Sequence, residues 1–257
     1  MEYSPEIFKR ASYCLYKKES KSSSEIEKEK PSEDRIERFI TLLEDAGQKP
    51  FEESVSEEEL VRLQNVIVDP RYADVGYRDF QNYVGQTMRD YTQKIHYVCP
   101  PPQFVRSLMQ GIVDLNKKNT STETIIKATM VSFAYVYIHP FEDGNGRIHR
   151  YLIHDILVRD SIVPNSTILP VSAQILAHMD EYDATLELLS NLIAQKVKYD
   201  LDNSGKMTVN KEVPEELLFL HQNKGKLSGR KCKFYKELID HEIEQMEQAY
   251  TQVFQRM

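Results

Sequence analysis

The sequence predicts a mainly α-helical protein with one β-hairpin. Glycine is scarce, at nine of 257 residues, and most of the chain places apolar residues at helical spacing. The segment from Gly76 to Pro102 differs, because β-branched and aromatic residues flank a polar centre there and three consecutive prolines close it. Two-stranded hairpins are rarely stable alone, so we expect this one to lie against helices.

Three helices are predicted ahead of the hairpin. The first covers residues 5–20, where Ser4–Pro5 supplies the N-cap and first-turn positions. The polar tract Lys21–Ser32 that follows is typical of a turn or a frayed helix end. The next two helices are expected at Arg35–Leu43 and Glu57–Val66.

Helices resume after the hairpin. Thr122–Ile138 is almost uniformly apolar, as expected of a buried central helix, and Pro140 ends it. The other predicted elements are, in chain order, a helix beginning near Gln103, a helix from about Gly146 to Asp160, a helix over Asp180–Lys198, a loop or small hairpin over Leu201–Glu212, and a long helix over Lys231–Met257.

Composition limits the classes of protein to which the chain can belong. A net charge of −7 argues against general affinity for nucleic acid. No apolar run is long enough to span a membrane, and the N-terminus does not have the order of a signal peptide. The three cysteines are far apart and odd in number, so we expect a reducing, cytoplasmic location.

The stretch His139–Arg150 concentrates the chemistry of the chain. Gly144, Asn145 and Gly146 can adopt turn conformations with positive φ, which point consecutive backbone N–H groups at one spot. The helix that follows adds its free N–H groups and partial positive charge. This segment therefore predicts an anion-binding turn.

Charged side chains flank this turn. Arg147 and Arg150 are three residues apart, so we expect both to project from one side of the first helical turn and to share a polyphosphate. Asp143 precedes the turn, where a carboxylate can hold Mg²⁺ that bridges phosphate oxygens. His139 is the nearby group whose ordinary pKa, near 6.5, suits general-base work. Together they predict a site for a nucleoside phosphate.

The same stretch matches the pattern His-x-Phe-x-(Asp/Glu)-Gly-Asn-Gly-Arg-x-x-Arg at every specified position, so the chain resembles the Fic family. The resemblance implies a Fic-type helical bundle with a β-hairpin flap. It also implies transfer of AMP from ATP to a Ser, Thr or Tyr hydroxyl of a target protein, with Mg²⁺ as cofactor. Phe141 would anchor the loop in the core.

The resemblance implies a role for each residue of the motif. His139 would deprotonate the target hydroxyl, which attacks the α-phosphorus. Asp143 would hold Mg²⁺ on the α- and β-phosphates, and the Gly144–Gly146 turn would cradle the phosphates. Arg147 would contact the β/γ end of ATP, and Arg150 would contact the γ-phosphate.

Two further segments extend the resemblance. The hairpin at about Phe80–Val98 stands where the family has a flap that docks the target by main-chain pairing. Ile168–Ser172 and Glu181–Leu186 resemble the segments that line the adenine side of the family's site. Tyr182 is the candidate for stacking on adenine, and a packing tyrosine is the alternative.

An inhibitory motif is predicted near the N-terminus. Residues 23–27, from Ser23 to Glu27, resemble the family's (Ser/Thr)-x-x-x-Glu-(Gly/Asn), in which the glutamate pairs with the last motif arginine, here Arg150. A carboxylate and a terminal phosphate would then compete for one guanidinium. Lys28 departs from the pattern, which has Gly or Asn there, and a solvated charge run over Ser22–Lys30 is the alternative.

These observations predict a protein adenylyltransferase inhibited by its own N-terminal helix, and they leave alternatives open. The site could remove AMP from modified proteins or transfer another nucleotide or phosphate group. It could also belong to a regulator that binds nucleotide or DNA without turnover.

Three regions are expected along the chain. They are an N-terminal helical region with the inhibitory motif (1–70), a Fic core (71–200) that contains the flap (about 80–98) and the catalytic loop (139–150), and a C-terminal helical extension (201–257). Neither a membrane nor nucleic acid is expected as a partner, and a homodimer is left open.

Overall fold

A computed structural model describes residues 5–89, 92–118, 123–165, 167–194, 197–202 and 205–209. The helices are α1 (Pro5–Ile26), α2 (Glu33–Glu44), α3 (Phe51–Ser54), α4 (Glu57–Ile67), α5 (Val105–Lys118), α6 (Thr124–Ile138), α7 (Asn145–Arg159), α8 (Val171–Ala177) and α9 (Met179–Ala194). The strands are β1 (Tyr83–Thr87), β2 (Gln93–Val98), β3 (Tyr199–Leu201) and β4 (Met207–Val209). The prediction of a mainly α fold with a hairpin is confirmed.

The centre of the molecule is the pair α6 and α7, which the loop 139–144 connects. Val131 and Tyr135 on α6 and Ile148 and Leu152 on α7 are fully buried. Their side chains belong to one apolar core that also takes in α2, α4 and α5. The site loop therefore starts and ends on two helices that contribute fully buried side chains to the core.

Helix α1 is longer than the sequence predicted. The prediction ended it at residue 20 and made Lys21–Ser32 a turn or frayed end, whereas the helix continues to Ile26. The reason is that its last turns are not solvated: Ser22, Ser23 and Ser24 are buried against the rest of the fold. Tertiary contacts override the polar composition of this tract.

The flap hairpin is present where the sequence predicted it. Strands β1 and β2 pair antiparallel, from Tyr83 opposite Val98 to Thr87 opposite Gln93. The register shifts between Val84 and Gly85, so the hairpin carries a bulge. Strand β2 packs against α9, which supports the hairpin from one side.

The C-terminal part differs from the prediction in one boundary. The helix expected over Asp180–Lys198 is α9, which ends at Ala194. Strands β3 and β4 form a second small hairpin, which begins at Tyr199, ahead of the predicted segment Leu201–Glu212, and ends within that segment. The helix predicted over Lys231–Met257 lies outside the described residues. Among the helices that the structure describes, none combines the length and the apolar character needed to cross a membrane.

Candidate active site

The site loop is built on two left-handed residues. Helix α6 ends at Ile138, and His139 follows it with φ 52° and ψ 61°. Gly144, at φ 87°, caps the start of α7, and a Cβ there would lie 2.9 Å from Val68 Cγ1. Both the backbone angle and the available space therefore require glycine at this position.

The side chain of Asn145 holds the loop in shape. Its Oδ1 accepts from the Phe141 backbone N–H (3.1 Å), and its Nδ2 donates to the Phe141 carbonyl (2.9 Å). Phe141 is fully buried, with its ring 5.7 Å from that of Tyr77. The amide of Asn145 is thus bonded to the loop backbone, and Phe141 lies in the core.

His139 is arranged as a proton acceptor. Its Nδ1 lies 3.1 Å from the Val136 carbonyl, which can only accept, so Nδ1 carries the proton and Nε2 keeps the lone pair. Burial lowers the pKa of His139 to about 4, although the Val136 carbonyl raises it. The imidazole is therefore neutral at pH 7.

Asp143 and the buried Arg147 form a polar cluster with Glu29, which the sequence did not single out. Arg147 is 2% exposed and donates to both carboxylate oxygens of Asp143, at 3.2 and 3.3 Å. It also donates to Glu29 Oε2 (2.7 Å) and to the carbonyl of Ile67 (3.2 Å). Arg35 reaches the same Glu29 oxygen at 2.8 Å. Glu29 is two residues beyond Glu27, but no sequence pattern pairs it with Arg147.

Arg150 meets the end of α1. It is 1% exposed, its Nε donates to Ser23 Oγ (2.9 Å), and its Nη2 donates to Ser23 O (2.9 Å) and Glu27 Oε1 (2.8 Å). A Cβ at Gly146 would overlap Glu27 Oε1, so glycine is what lets the carboxylate approach α7. The structure therefore brings together Ser23, Glu27 and Arg150 from segments more than 120 residues apart.

Glu27 remains ionised in this setting. Burial would raise the pKa of its carboxyl, but the charge of Arg150 and the hydrogen bond from it outweigh burial and lower that pKa. The side chain is 37% exposed, so water also reaches the carboxylate. The negative charge of Glu27 is thus present throughout the neutral pH range.

Lys28 takes the conformation that a glycine or asparagine would take. Its φ is 57°. Its N–H donates to the Glu25 carbonyl (2.9 Å), and the N–H of Glu29 donates to the Ser24 carbonyl (3.0 Å). These two bonds are those of a Schellman helix end with Lys28 at its left-handed position. The departure from the family's pattern therefore leaves the shape of the helix end unchanged.

A cavity of about 380 Å³ lies between the flap, α1, α7 and α9. Its lining includes His139, Arg150 and Glu27, together with Val84 and Gly85 of the flap. Tyr182 on α9 also lines it, with its ring centre 6.3 Å from that of His149 and 6.4 Å from that of Phe133. Burial raises the pKa of Tyr182 to about 12, so its hydroxyl stays protonated.

Two buried polar residues near the site had no signal in the sequence. Arg78 lies just before β1 and donates to backbone carbonyls at the end of α6. Glu19 on α1 accepts from the backbone N–H of Ser172 (2.9 Å) and from its Oγ, and lies 3.0 Å from His154 Nε2. Neither belongs to a spaced motif, so only the fold reveals their partners.

Comparison with known proteins matches part of the sequence to a family. Residues 54–157 match the model of the Fic/DOC family. Over 89 residues, 34% of this chain, the sequence is 37% identical to protein adenylyltransferase fic-1 of Caenorhabditis elegans. Over 64 residues, 25% of the chain, it is 34% identical to a probable protein adenylyltransferase of Aquifex aeolicus. The matched segments span only 16% and 20% of the lengths of these relatives.

Two solved structures share the fold. A Fic family protein from Desulfovibrio desulfuricans aligns with a TM-score of 0.58 and 20% identity, covering 71% of this chain and 59% of that one. A Fic domain containing signaling protein from Bacteroides thetaiotaomicron aligns with a TM-score of 0.53 and 18% identity, covering 71% and 75% of the two chains. The two structures show that the fold is shared, and the family match over residues 54–157 confirms the resemblance to the Fic family seen in the sequence.

Proposed function

We propose that this chain is a protein adenylyltransferase that moves AMP from ATP to a hydroxyl side chain of a target protein, and that its own α1 helix inhibits it. The observation that carries the proposal is that His139, Arg150 and Glu27 line one cavity. They are a base, a cation for phosphate and a carboxylate that competes for that cation. The names of the relatives in worm and bacterium support the same class of reaction.

His139 is the proposed general base. Because burial keeps the pKa of its imidazole at about 4, Nε2 is free to accept the proton of the target's O–H group at pH 7. The hydroxyl oxygen then forms a bond to the α-phosphorus of ATP. The bond from that phosphorus to the bridging oxygen breaks, and pyrophosphate leaves with the bonding pair.

ATP fits the donors of this site. Arg150 offers a forked, permanently charged group for a terminal phosphate. The Gly144–Gly146 turn lies at the N-terminus of α7, where backbone N–H groups can bind an anion. We propose that this turn and Arg150 hold the phosphates, that Tyr182 stacks on the adenine and that Arg147 acts from behind the loop by fixing Asp143.

Asp143 fits a role as a Mg²⁺ ligand. Its carboxylate is 36% exposed and is oriented by Arg147 and by the N–H of Gly144 (2.6 Å). Within the described residues no cluster of three or more metal-binding side chains occurs, so phosphate oxygens and water would supply the other ligands of the ion. The ion would neutralise charge that develops on the leaving pyrophosphate.

The proposed inhibition is a competition for Arg150. Glu27 accepts from Nη2 of the guanidinium that the γ-phosphate would need, while Ser23 accepts from Nε and Nη2. Glu29 makes a parallel contact with Arg147, so both motif arginines are bonded to carboxylates that follow α1. We place this inhibitory segment in residues 1–70, the Fic core in 71–200 and an extension in 201–257.

Labelled ATP tests the proposal. With α-labelled ATP, Mg²⁺ and a cell extract as the source of targets, wild type should label protein weakly and Glu27→Gly at least tenfold more. The double variant Glu27→Gly/His139→Ala should bind ATP as tightly as Glu27→Gly but label nothing. Equal labelling by the last two proteins would contradict the mechanism.

Removal of AMP is a second candidate, because Glu27 is 37% exposed and lines the same cavity as His139. A carboxylate there can hold water for attack on a modified side chain. In that case wild type would release AMP from protein labelled by Glu27→Gly, and Glu27→Gly itself would not. Stable label in the presence of wild type would reject this candidate.

A further inference from the structure

Arg78 occupies an unusual position for a charged residue. It is 4% exposed, and its guanidinium donates to four backbone carbonyls: those of His139 (2.7 Å), Phe80 (2.8 Å), Pro100 (2.6 Å) and Ile138 (3.2 Å). Among the described residues it has no carboxylate partner. A buried arginine with carbonyl partners alone is costly, so its hydrogen bonds must be well made.

The four carbonyls belong to three segments that meet at the site. Phe80 leads into the flap, Pro100 follows it, and Ile138 and His139 end α6. The backbone N–H of Arg78 also donates to the Pro140 carbonyl (2.9 Å). One residue therefore connects both ends of the flap to the residue proposed as the base.

The hydrogen bonds of Arg78 also explain how His139 keeps its backbone conformation. The last carbonyls of a helix have no partner within it, and a cation at that end is favourable. Arg78 satisfies the carbonyls of Ile138 and His139 while His139 stands at φ 52°, which is costly for a residue with a Cβ. The left-handed angle directs the imidazole toward the cavity that His139 lines.

We propose that Arg78 is a positioning residue for AMP transfer: it fixes the distance between the base His139 and the flap that presents the target hydroxyl. The inference rests on the proposed function. General-base catalysis requires the acceptor nitrogen within about 3 Å of the proton it takes, and misplacement by about 1 Å can cost about 100-fold in rate. Arg78 is buried and does not line the cavity, so it would act through His139 and the flap.

The test uses the full chain in the Glu27→Gly background. Arg78→Met should lower kcat about 100-fold and leave the KM for ATP within about twofold, because the phosphate donors are unchanged. Arg78→Lys should recover only part of kcat, since an ammonium cannot span three segments. Arg159→Met is the control: the Arg159 side chain is 17% exposed and is bonded to the Lys49 carbonyl and Asp155, and it does not line the cavity.

A second readout separates positioning from stability. The charge of Arg78 lowers the pKa of His139, while Glu27 and Asp143 raise it. Arg78→Met should therefore move the acid limb of the kcat/KM profile to higher pH, and Arg159→Met should not. If Arg78→Met reduced kcat, ATP affinity and thermal midpoint together with an unmoved acid limb, as a general defect would, the proposal would be overturned. Full activity of Arg78→Lys would overturn it as well.

Failure of the proposed function can be told apart from failure of this inference. If Glu27→Gly with Arg78 intact transfers no AMP, the adenylyltransferase proposal fails. The positioning of His139 is then measured directly by NMR titration of its imidazole, assigned by loss of the signal in His139→Ala. Arg78→Met should raise that pKa, and an unchanged titration would reject the inference. If Arg78→Met does not fold, the same NMR titration is made on Arg78→Lys. The chemical shifts of the His139 imidazole should then differ from those of wild type, and identical shifts would reject the inference.

Discussion

The left-handed turn at Lys28 allows a sharp test of the inhibitory helix. Lys28 stands at φ 57° at the end of α1, and Glu27 holds Arg150 just before it. Glycine adopts this angle without strain, whereas alanine, like lysine, adopts it only at a cost in free energy. Replacing Lys28 by Gly or by Ala removes the same charge, so the two variants differ only in how well they keep the helix end that seats Glu27.

The size of the difference follows from the backbone. A left-handed conformation costs a residue with a Cβ about 1–2 kcal/mol. Glycine gains about 0.5–1 kcal/mol more entropy than alanine when the segment is released, which offsets part of that cost. The net preference for the docked state is about 1 kcal/mol in favour of glycine, or about fivefold in the docked-to-released ratio.

Initial rates of label incorporation at low ATP measure this ratio. Lys28→Ala should label about five times faster than Lys28→Gly. In the Glu27→Gly background the two should be equal, because the contact that the turn supports is gone. Lys30→Gly and Lys30→Ala are the control pair, since Lys30 is exposed and its φ is not positive. A fivefold difference that persisted without Glu27, or no difference at all, would refute the role assigned to the turn.

Two further predictions concern the same site. Glu19→Ala leaves the groups of Ser172 and His154 that contact Glu19 unpaired in a buried place, at a cost of about 3 kcal/mol. The thermal midpoint should therefore fall by roughly 6–12 °C, and basal labelling should rise. An unchanged midpoint would contradict the buried contact. AMP transfer by Glu27→Gly should be flat between pH 6 and 8 and fall as the pH approaches 4, because burial lowers the pKa of His139 to about 4 and protonation removes the base. A limb near pH 6.5 would show that His139 titrates as an exposed imidazole.

The site loop could be predicted because its chemistry is contiguous. The turn that carries Gly144 and the helix start that carries Arg150 lie within twelve residues, and their conformations depend on local backbone preferences. The flap hairpin was predictable for a similar reason, since a strand–turn–strand unit depends on neighbours in sequence. Local rules therefore gave the shape of the loop and the presence of the hairpin.

The partners of two other buried arginines, Arg147 and Arg78, could not be predicted. The spacing predicts Arg147 beside Arg150 on one polyphosphate, and it does not indicate the bonds that Arg147 makes to Asp143 and to Glu29, which lies 118 residues away in the chain. Nothing in the spacing of Arg78 indicates that its guanidinium closes the end of α6. Such contacts depend on how separate segments pack, and a single sequence carries no record of those distances.

Burial is uneven along the contact between α1 and α7, which would allow the proposed inhibition to be strong and still reversible. Glu19, Ser23 and Glu27 are spaced four apart on one face of the segment and meet α7 at His154 and Arg150. Exposure is 1% at Glu19 and 0% at Ser23, but 37% at the Glu27 side chain. A phosphate that competes for Arg150 would therefore meet these three residues at Glu27, the exposed one, where water already reaches the carboxylate. Local opening of a helix end costs far less than undocking the whole helix. Under the proposed mechanism, release would need only the last turn to move while the buried end keeps α1 in place. The backbone preference at the turn after Glu27 would then set how readily ATP binds Arg150.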